Sequence, residues 1–187
     1  MSRENTRAYL AAAVVLVAAT AIPADAQTPT VEVSGRYQAL DNRSINERFP
    51  AGWNADVAVN IDGAWGVVAE VGGAYRSDAD LAIDLTVFTV AGGSRWSGWR
   101  ASRVAPFAQL LLGLARMGSR ADIPGGEISV SQTKLMLQPS GGVTIAVGHG
   151  WGITSQVGYR RIFLDGDHDG DTGFNELIVS AGVRVRF

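Results

Sequence analysis

One segment near the C-terminus has acidic residues at the spacing of a calcium-binding loop. Acidic side chains occupy positions 1, 3, 5 and 12 of the 12-residue stretch Asp165–Glu176, and Gly170 occupies position 6. Carboxylates at alternate loop positions can converge on one hard cation, and glycine permits the sharp turn that such a loop needs. The candidate ligands are Asp165, Asp167, Asp169, Asp171 and Glu176.

The setting of this segment differs from that of an EF-hand. Thr172 stands at position 8, where an apolar residue is usual, and the flanking residues alternate as strands do rather than as helices. Glu176 falls at the start of the last predicted strand. We therefore favour an exposed acidic hairpin loop, with calcium as the alternative and otherwise no cofactor.

The residues needed for nucleophilic catalysis are scarce. The chain contains His149 and His168 and no cysteine. His149 lies between glycines in a predicted turn, and no serine can be assigned as a nucleophile beside either histidine. An activated nucleophile needs an adjacent base and an orienting group, so we predict no catalytic residues and no enzymatic activity.

A further set of charged residues shares one face of predicted strands. Opposite charges on that face can pair with one another, and Glu70 has Arg36, Arg95 or Arg160 as possible partners. We predict that they form an internal charge network, with a narrow ion path as the alternative. The set comprises Glu32, Arg36, Asp56, Glu70, Arg160 and Arg184.

Composition limits the class of protein that can present these residues. The chain has 187 residues, of which 47% are hydrophobic, 18% are charged and 23 are glycine. It is too hydrophobic for a disordered chain and too rich in glycine for a helical bundle. A formal net charge of −2 without any basic run excludes nucleic acid as an expected partner.

The N-terminus has the three parts of a secretory signal peptide. Arg3 and Arg7 form a basic start, Ala8–Ile22 is an almost wholly apolar run of 15 residues, and Ala24-Asp25-Ala26 is a small-residue cleavage site. A membrane-spanning helix needs about 20 apolar residues. We predict a cleaved signal peptide over residues 1–26 and one domain over residues 27–187.

The rest of the chain alternates between apolar and polar residues, the period of a β-strand. Gly52–Asp62 and Glu176–Phe187 show the pattern most clearly. The alternation breaks at Phe88–Gly93, where we predict a bulge or a glycine kink. The other six predicted strands are Val31–Ala39, Trp65–Tyr75, about Leu85–Trp96, Val104–Met117, Leu135–Val147 and Ile153–Arg160.

Short and long connections alternate between these strands. The short ones are Asp62–Ala64, Ser97–Ser102 and Gly148–Gly150. Outer-membrane barrels have short periplasmic turns and longer external loops. The long connections are predicted at Asp41–Ala51, Arg76–Ala82, Gly118–Lys134 and Asp165–Gly173.

Aromatic residues are expected to collect at the two ends of the strands, as they do at the two interfaces of a bilayer. A soluble sandwich or lipocalin-like barrel would also alternate, but it would bury the charged face as its core, which is costly. We therefore predict an all-β, eight-stranded antiparallel up-and-down transmembrane β-barrel with apolar side chains outside. The two aromatic groups are Tyr37, Trp53, Tyr75, Tyr159 and Phe163 at one end, and Trp65, Trp96, Trp151 and Phe187 at the other.

The closing strand resembles the C-terminal signal of outer-membrane barrels, through Ser180, Gly182, Val185 and the final Phe187. Together with Gly52–Tyr75, Val104–Gln109 and Gln138–Val143, it makes residues 31–187 similar to the OmpA-like family of eight-stranded barrels. No peptidoglycan-binding domain follows, so the resemblance is to barrel-only members. It implies a filled barrel in the outer membrane of a Gram-negative bacterium, inserted by the barrel assembly machinery.

The resemblance implies no common chemistry, so the expected role is structural or one of surface interaction through the external loops. The expected partners are outer-membrane lipid and lipopolysaccharide, directly or through divalent ions at the acidic loop, and the protein is expected to be a monomer. A narrow small-solute or ion channel is one alternative. A lipid A-modifying enzyme acting through His168 is the other.

Overall fold

The computed structural model describes residues 30–42, 47–78, 83–99, 102–123, 126–163 and 173–187. Within these ranges no helix is long and apolar enough to cross a membrane. The predicted signal peptide and most of the acidic loop lie outside the described residues. The eight strands are β1 (Val31–Asn42), β2 (Glu47–Asn60), β3 (Trp65–Asp78), β4 (Ile83–Ser97), β5 (Val104–Ile123), β6 (Gly126–Gly148), β7 (Trp151–Phe163) and β8 (Gly173–Arg186).

The strands form one closed barrel. Each strand pairs antiparallel with its neighbours in the chain, and β1 pairs antiparallel with β8. The fold class predicted from the alternation is therefore confirmed. The β2–β3, β4–β5 and β6–β7 connections lie at one end, which we name the short-turn end. The opposite end, where β5 and β6 extend furthest, is the long-strand end.

Side chains alternate between the exterior and the lumen with the period predicted. In β7, Ile153 and Val157 are exposed outside, whereas Thr154 and Gln156 are buried inside. Polar groups are thus covered and apolar groups are uncovered, the reverse of a water-soluble protein. A closed barrel satisfies its backbone hydrogen bonds within the sheet, so this exterior is suited to a lipid solvent.

The aromatic residues of both predicted groups point outward. Trp65 and Trp96 are direct neighbours across β3 and β4, and Tyr37 and Trp53 are neighbours across β1 and β2. Each of these side chains is exposed on the barrel exterior. Amphipathic rings at two levels match the two headgroup regions of a bilayer.

The predicted long connection at Gly118–Lys134 is wrong. The β5–β6 ladder continues to the pair Ile123 and Gly126, so that β5 has 20 residues and β6 has 23. Ser131 and Thr133 are both exposed in this extension. Because the extension lacks a lipid-facing apolar side, its alternation is weak and the sequence alone resembles a loop.

Of the bulge or glycine kink predicted at Phe88–Gly93, the bulge is wrong. The registers of β4 with β3 and β5 run through this segment without a shift. Val87 and Ala91 face the lumen and are buried, so apolar residues occur on both faces of β4. The register shifts lie instead between Gln38 and Leu40 and between Ala146 and Gly148.

An apolar layer fills part of the lumen toward the long-strand end. Leu40, Ala74, Val87 and Ile178 form a buried cluster. In each strand, the next lumen-facing residue toward the short-turn end is polar or glycine. These neighbours are Gln38, Gly72, Thr89 and Ser180, respectively. A second buried cluster is not confined to that end, since Ala58 and Val68 lie close to the turn at 61–64. It comprises Ala58, Val68, Ala91, Leu111, Ala115, Met136 and Ile162.

Candidate functional site

The structure places all the predicted network residues in the lumen. Each of the six is at most 4% exposed. They come from five strands, because only side chains of the lumen-facing phase can meet inside the barrel. They are Glu32, Arg36, Asp56, Glu70, Arg160 and Arg184.

Asp56 is the centre of the cluster. Its Oδ1 accepts a hydrogen bond from Arg95 Nη2 at 2.8 Å, and its Oδ2 forms an ion pair with Arg36. Arg36 Nη2 also donates to Glu70 Oε2 at 3.0 Å. The partner of Glu70 is therefore Arg36, while Arg95 is committed to Asp56.

Toward the long-strand end, the contacts continue through a glutamine. Gln138 Nε2 donates to Glu70 Oε1 at 2.9 Å, and Gln138 Oε1 accepts from Arg160 Nε at 2.8 Å. Arg160 Nη1 then donates to Glu176 Oε2 at 3.1 Å. The amide turns a donor to one charge and an acceptor to the other, so Gln138 couples Glu70 to Arg160.

Toward the short-turn end, Glu32 is shared by two arginines. Arg184 Nη1 lies 3.4 Å from Glu32 Oε2, and Arg186 Nη2 lies 2.8 Å from Oε1. Arg184 Nε donates to Ser34 Oγ at 3.2 Å, and Ser34 Oγ lies 3.5 Å from Asp56 Oδ1. Ser34 thereby links the Glu32 pair to the centre.

One aromatic ring supports two of the guanidinium groups. Arg95 and Arg184 place their Cζ atoms 5.1 Å and 4.7 Å from the ring centroid of Phe107. A cation over a desolvated ring is stabilised by the ring quadrupole. Phe107 thus contributes to the stabilisation of both buried cations.

The uncharged polar residues of the lumen were not predicted. Asn54 Oδ1 accepts from Arg36 Nε at 2.8 Å, and Gln109 Oε1 accepts from Arg95 Nε at 2.9 Å. The same strand phase that marks the charged residues would have marked these amides as well. The buried set is Gln38, Asn54, Gln109, Gln138 and Gln156.

The buried charges balance. Four carboxylates and four guanidinium groups, which we call the lumenal network, are at most 4% exposed. Burying a charge is tolerable only when it is paired and hydrogen-bonded, and each member has an oppositely charged partner. The lumenal network is Glu32, Arg36, Asp56, Glu70, Arg95, Arg160, Glu176 and Arg184.

Comparison with known proteins finds the fold but no family by sequence. No family model and no curated protein matches the chain. Neisserial surface protein A has a similar structure, with a TM-score of 0.58 and 18% identity over 85% of this chain and 97% of its own. The attachment invasion locus protein Ail of Yersinia pestis gives 0.55 and 14% over 85% and 97%.

A major outer membrane protein from Thermus thermophilus gives a TM-score of 0.58 and 11% identity, over 86% of this chain and all 100% of its own. The fold is that of a small outer-membrane β-barrel. Because the identities are low, the likeness concerns architecture alone. The likeness of the outer-membrane barrel fold therefore does not extend to the residues of the lumen.

Only the last part of the predicted calcium loop, from Gly173 onward, belongs to the described residues. Asp165, Asp167, His168, Asp169 and Asp171 lie outside the described residues. Glu176, the remaining candidate ligand, is 1% exposed and paired with Arg160 in the lumen. Within the described part of the chain, no group of three or more histidine or acidic residues could hold a metal ion.

The other residues singled out by sequence lie at the ends and the seam of the barrel. His149 is exposed in the β6–β7 turn. Of the residues that resemble an assembly signal, Ser180 faces the lumen, Val185 faces outward, and Phe187 N donates to Val31 O at 2.9 Å. A Cβ on Gly182 would lie 2.0 Å from Gly35 O, so only glycine lets β8 approach β1 there.

Proposed function

We propose that the protein is a non-enzymatic, monomeric integral protein of the bacterial outer membrane, in which a non-conducting barrel anchors a surface-interaction region at its outer end. The lumenal network is the observation that carries this proposal. It occupies the interior with paired charges that belong to the barrel wall. A permanent channel would instead leave charged side chains facing water.

The outward surface supports the location. Exposed Val, Leu and Ile side chains cover the strands between two levels of aromatic residues, and lipid is the solvent that favours such a surface. The fold shared with Neisserial surface protein A and Ail is consistent with it. Export would use the predicted signal peptide, and insertion by the barrel assembly machinery would use the closing strand.

The energetics of the lumenal network disfavour the channel alternative. A path for ions past the centre requires Arg36 or Arg95 to leave Asp56. Breaking a buried pair by removing one partner typically costs about 3–5 kcal/mol, because a charge is left uncompensated. Spontaneous opening of the path is therefore expected to be rare.

The long-strand end offers a contact for lipopolysaccharide. Arg116 points outward from the β5–β6 extension and donates to Ser131 Oγ at 3.4 Å. With Tyr75, Arg76 and Arg120 it lines a cleft of about 580 Å³. Arginine binds phosphate oxygens through two parallel hydrogen bonds, so the phosphate groups of lipid A are the proposed ligands of Arg116.

Single-channel recording tests the absence of a conducting path. The purified barrel is inserted into planar bilayers, and we expect no discrete conductance steps from the unmodified protein. Leu110→Ala, which changes an exposed outward side chain, serves as the matched control for Glu70→Ala. Steps in the unmodified protein whose size changes in Glu70→Ala would establish the channel and overturn the proposal.

The enzyme alternative has a separate test. Lipid A extracted from cells with and without the protein is expected to have the same mass spectrum. A mass difference that is lost in His168→Ala would show that the barrel modifies lipid A.

A further inference from the structure

A small cavity opens in the lumen at the short-turn end. Its volume is about 100 Å³. Small residues, among them Ala105, Thr144, Ala146 and Gly148, share its lining with three arginines. The small residues leave room that larger side chains would have filled.

Three arginines from two parts of the chain line this short-turn cavity. Arg103 belongs to the β4–β5 turn, and Arg184 and Arg186 belong to β8. Among the described residues, no acidic side chain lines the cavity. Glu32, outside the lining, is the carboxylate shared by Arg184 and Arg186. The charged side chains that the described residues contribute to the lining are therefore all cationic, and they outnumber the carboxylate of Glu32 that Arg184 and Arg186 share.

Arg184 provides independent support for a ligand. It is 4% exposed, and within the described chain its Nη2 is buried without a hydrogen-bond partner. Its other donors are engaged, with Nε on Ser34 and Nη1 beside Glu32. A buried cationic donor that makes no hydrogen bond is costly, and an anion in the cavity would supply the missing acceptor.

The size and position of the cavity narrow the class of anion. Drug-sized ligands occupy pockets of about 300–1,000 Å³, so this cavity suits a single small ionic group. Guanidinium groups from the β4–β5 turn and from β8 match the several acceptor oxygens of a tetrahedral phosphate. Trp151, an exposed aromatic residue at this end, also lines the cavity, which places it near the level of lipid headgroups.

We propose that the short-turn cavity is a phosphate-binding site formed by Arg103, Arg184 and Arg186. The phosphate group comes either from a phospholipid headgroup of the adjacent leaflet or from free inorganic phosphate. Both sources present the same oxygens to the three guanidinium groups. A bound phosphate offsets the positive charge of the three arginines that Glu32 alone does not balance.

The test is a titration of the folded, full-length barrel in dodecyl maltoside with inorganic phosphate. The signals of arginine Nε–H groups are followed by NMR, and sodium chloride at matched ionic strength controls for screening. We expect saturable shifts with phosphate and not with chloride. Arg103→Gln, which changes an exposed turn residue outside the lumenal network, is expected to weaken binding roughly tenfold.

Two further variants separate a local site from general charge effects. Ala146→Leu fills the cavity without changing the charge and is expected to abolish the shifts. Arg116→Gln removes an arginine at the opposite end and is expected to leave them unchanged. Shifts with phosphate no larger than those with chloride, or equal shifts in Ala146→Leu, would mean that the cavity holds only water and would overturn the proposal.

Nanodiscs distinguish the two sources. In nanodiscs of phosphatidylglycerol, occupation by a headgroup predicts that added inorganic phosphate no longer shifts the arginine signals, which already resemble the phosphate-bound state. Continued titration by inorganic phosphate in the same nanodiscs would identify the free anion as the ligand. Signals in nanodiscs that match the empty state and do not respond to phosphate would contradict the site.

Discussion

The two ends of the lumen are closed by different interactions. At the long-strand end, Leu40, Val87 and Ile178 pack into an apolar layer, beside a cavity of about 240 Å³ that Phe174 helps to line. At the short-turn end, Glu32 holds arginines by ion pairs around a smaller cavity. One alternating pattern thus gives an apolar seal at one end and an ionic seal at the other.

This difference has consequences for stability. The stability that apolar packing contributes falls in proportion to the side-chain volume removed. It is nearly insensitive to salt, because no charges are involved. An ion pair at an open rim is screened by salt and contributes little, whereas a buried pair is costly to break. The contribution of a residue should therefore depend on its depth in the lumen as well as on its chemical type.

The largest loss of stability is expected at the centre of the lumenal network, between the two ends. Glu70→Ala removes the acceptor of both Arg36 and Gln138 and leaves buried cationic charge uncompensated, which should lower the free energy of unfolding by about 3–5 kcal/mol. Urea unfolding in lipid vesicles, followed by tryptophan fluorescence, measures the change. Glu70→Gln, which keeps one acceptor oxygen, should lose less. A loss in Glu70→Ala below about 1 kcal/mol, the size of an exposed pair, would show that the network adds little.

An intermediate effect is expected in the apolar seal. Leu40→Ala removes a buried leucine that is 2% exposed, which should cost about 2–3 kcal/mol. The value lies at the low end of the usual range because Met117, which packs against the cluster and borders the cavity, can move into the space. The same unfolding assay at two salt concentrations should give the same loss. A strong salt dependence would contradict apolar closure.

The smallest effect is expected at the ionic rim. The Arg186 side chain is 41% exposed, so Arg186→Gln should cost at most about 1 kcal/mol, and the cost should shrink as salt is added. Glu32→Gln is the matched comparison, because it removes the buried partner of the same pair and should cost more. If the two variants lose the same stability, the distinction between rim and interior is wrong.

The sequence predicts the barrel well because its signal is repeated in every strand. The alternation of Trp53 to Ile61 assigns each residue to a face, and the lipid-facing apolar positions then identify the solvent. The strand prediction fails where the lumen-facing side is apolar or the outward-facing side is polar. Apolar Val87 in the lumen obscures the phase of β4, and the polar extension around Ser131 has no lipid-facing side.

The membership of the lumenal network follows from strand phase, but its pairing does not. Gln138 joins Glu70 to Arg160 across 68 and 22 positions of the chain. Which side chains meet is set by the stagger between strands that are distant in sequence, and this stagger has no local signal. The uncharged amides could have been predicted from phase alone.

The seam between β1 and β8 closes the barrel through contacts between residues that are far apart in the sequence. Glu32 and Arg186 are separated by 154 positions, and Ser34 and Arg184 by 150. Contacts between such distant residues slow the folding reaction, because a long loop must be closed before they form. Until β8 pairs with β1 there is no closed lumen, so charged side chains such as Glu32 and Arg184 cannot be buried beside their partners. We therefore expect the barrel to close as it enters the hydrocarbon, since an open sheet would expose its charged side chains to lipid.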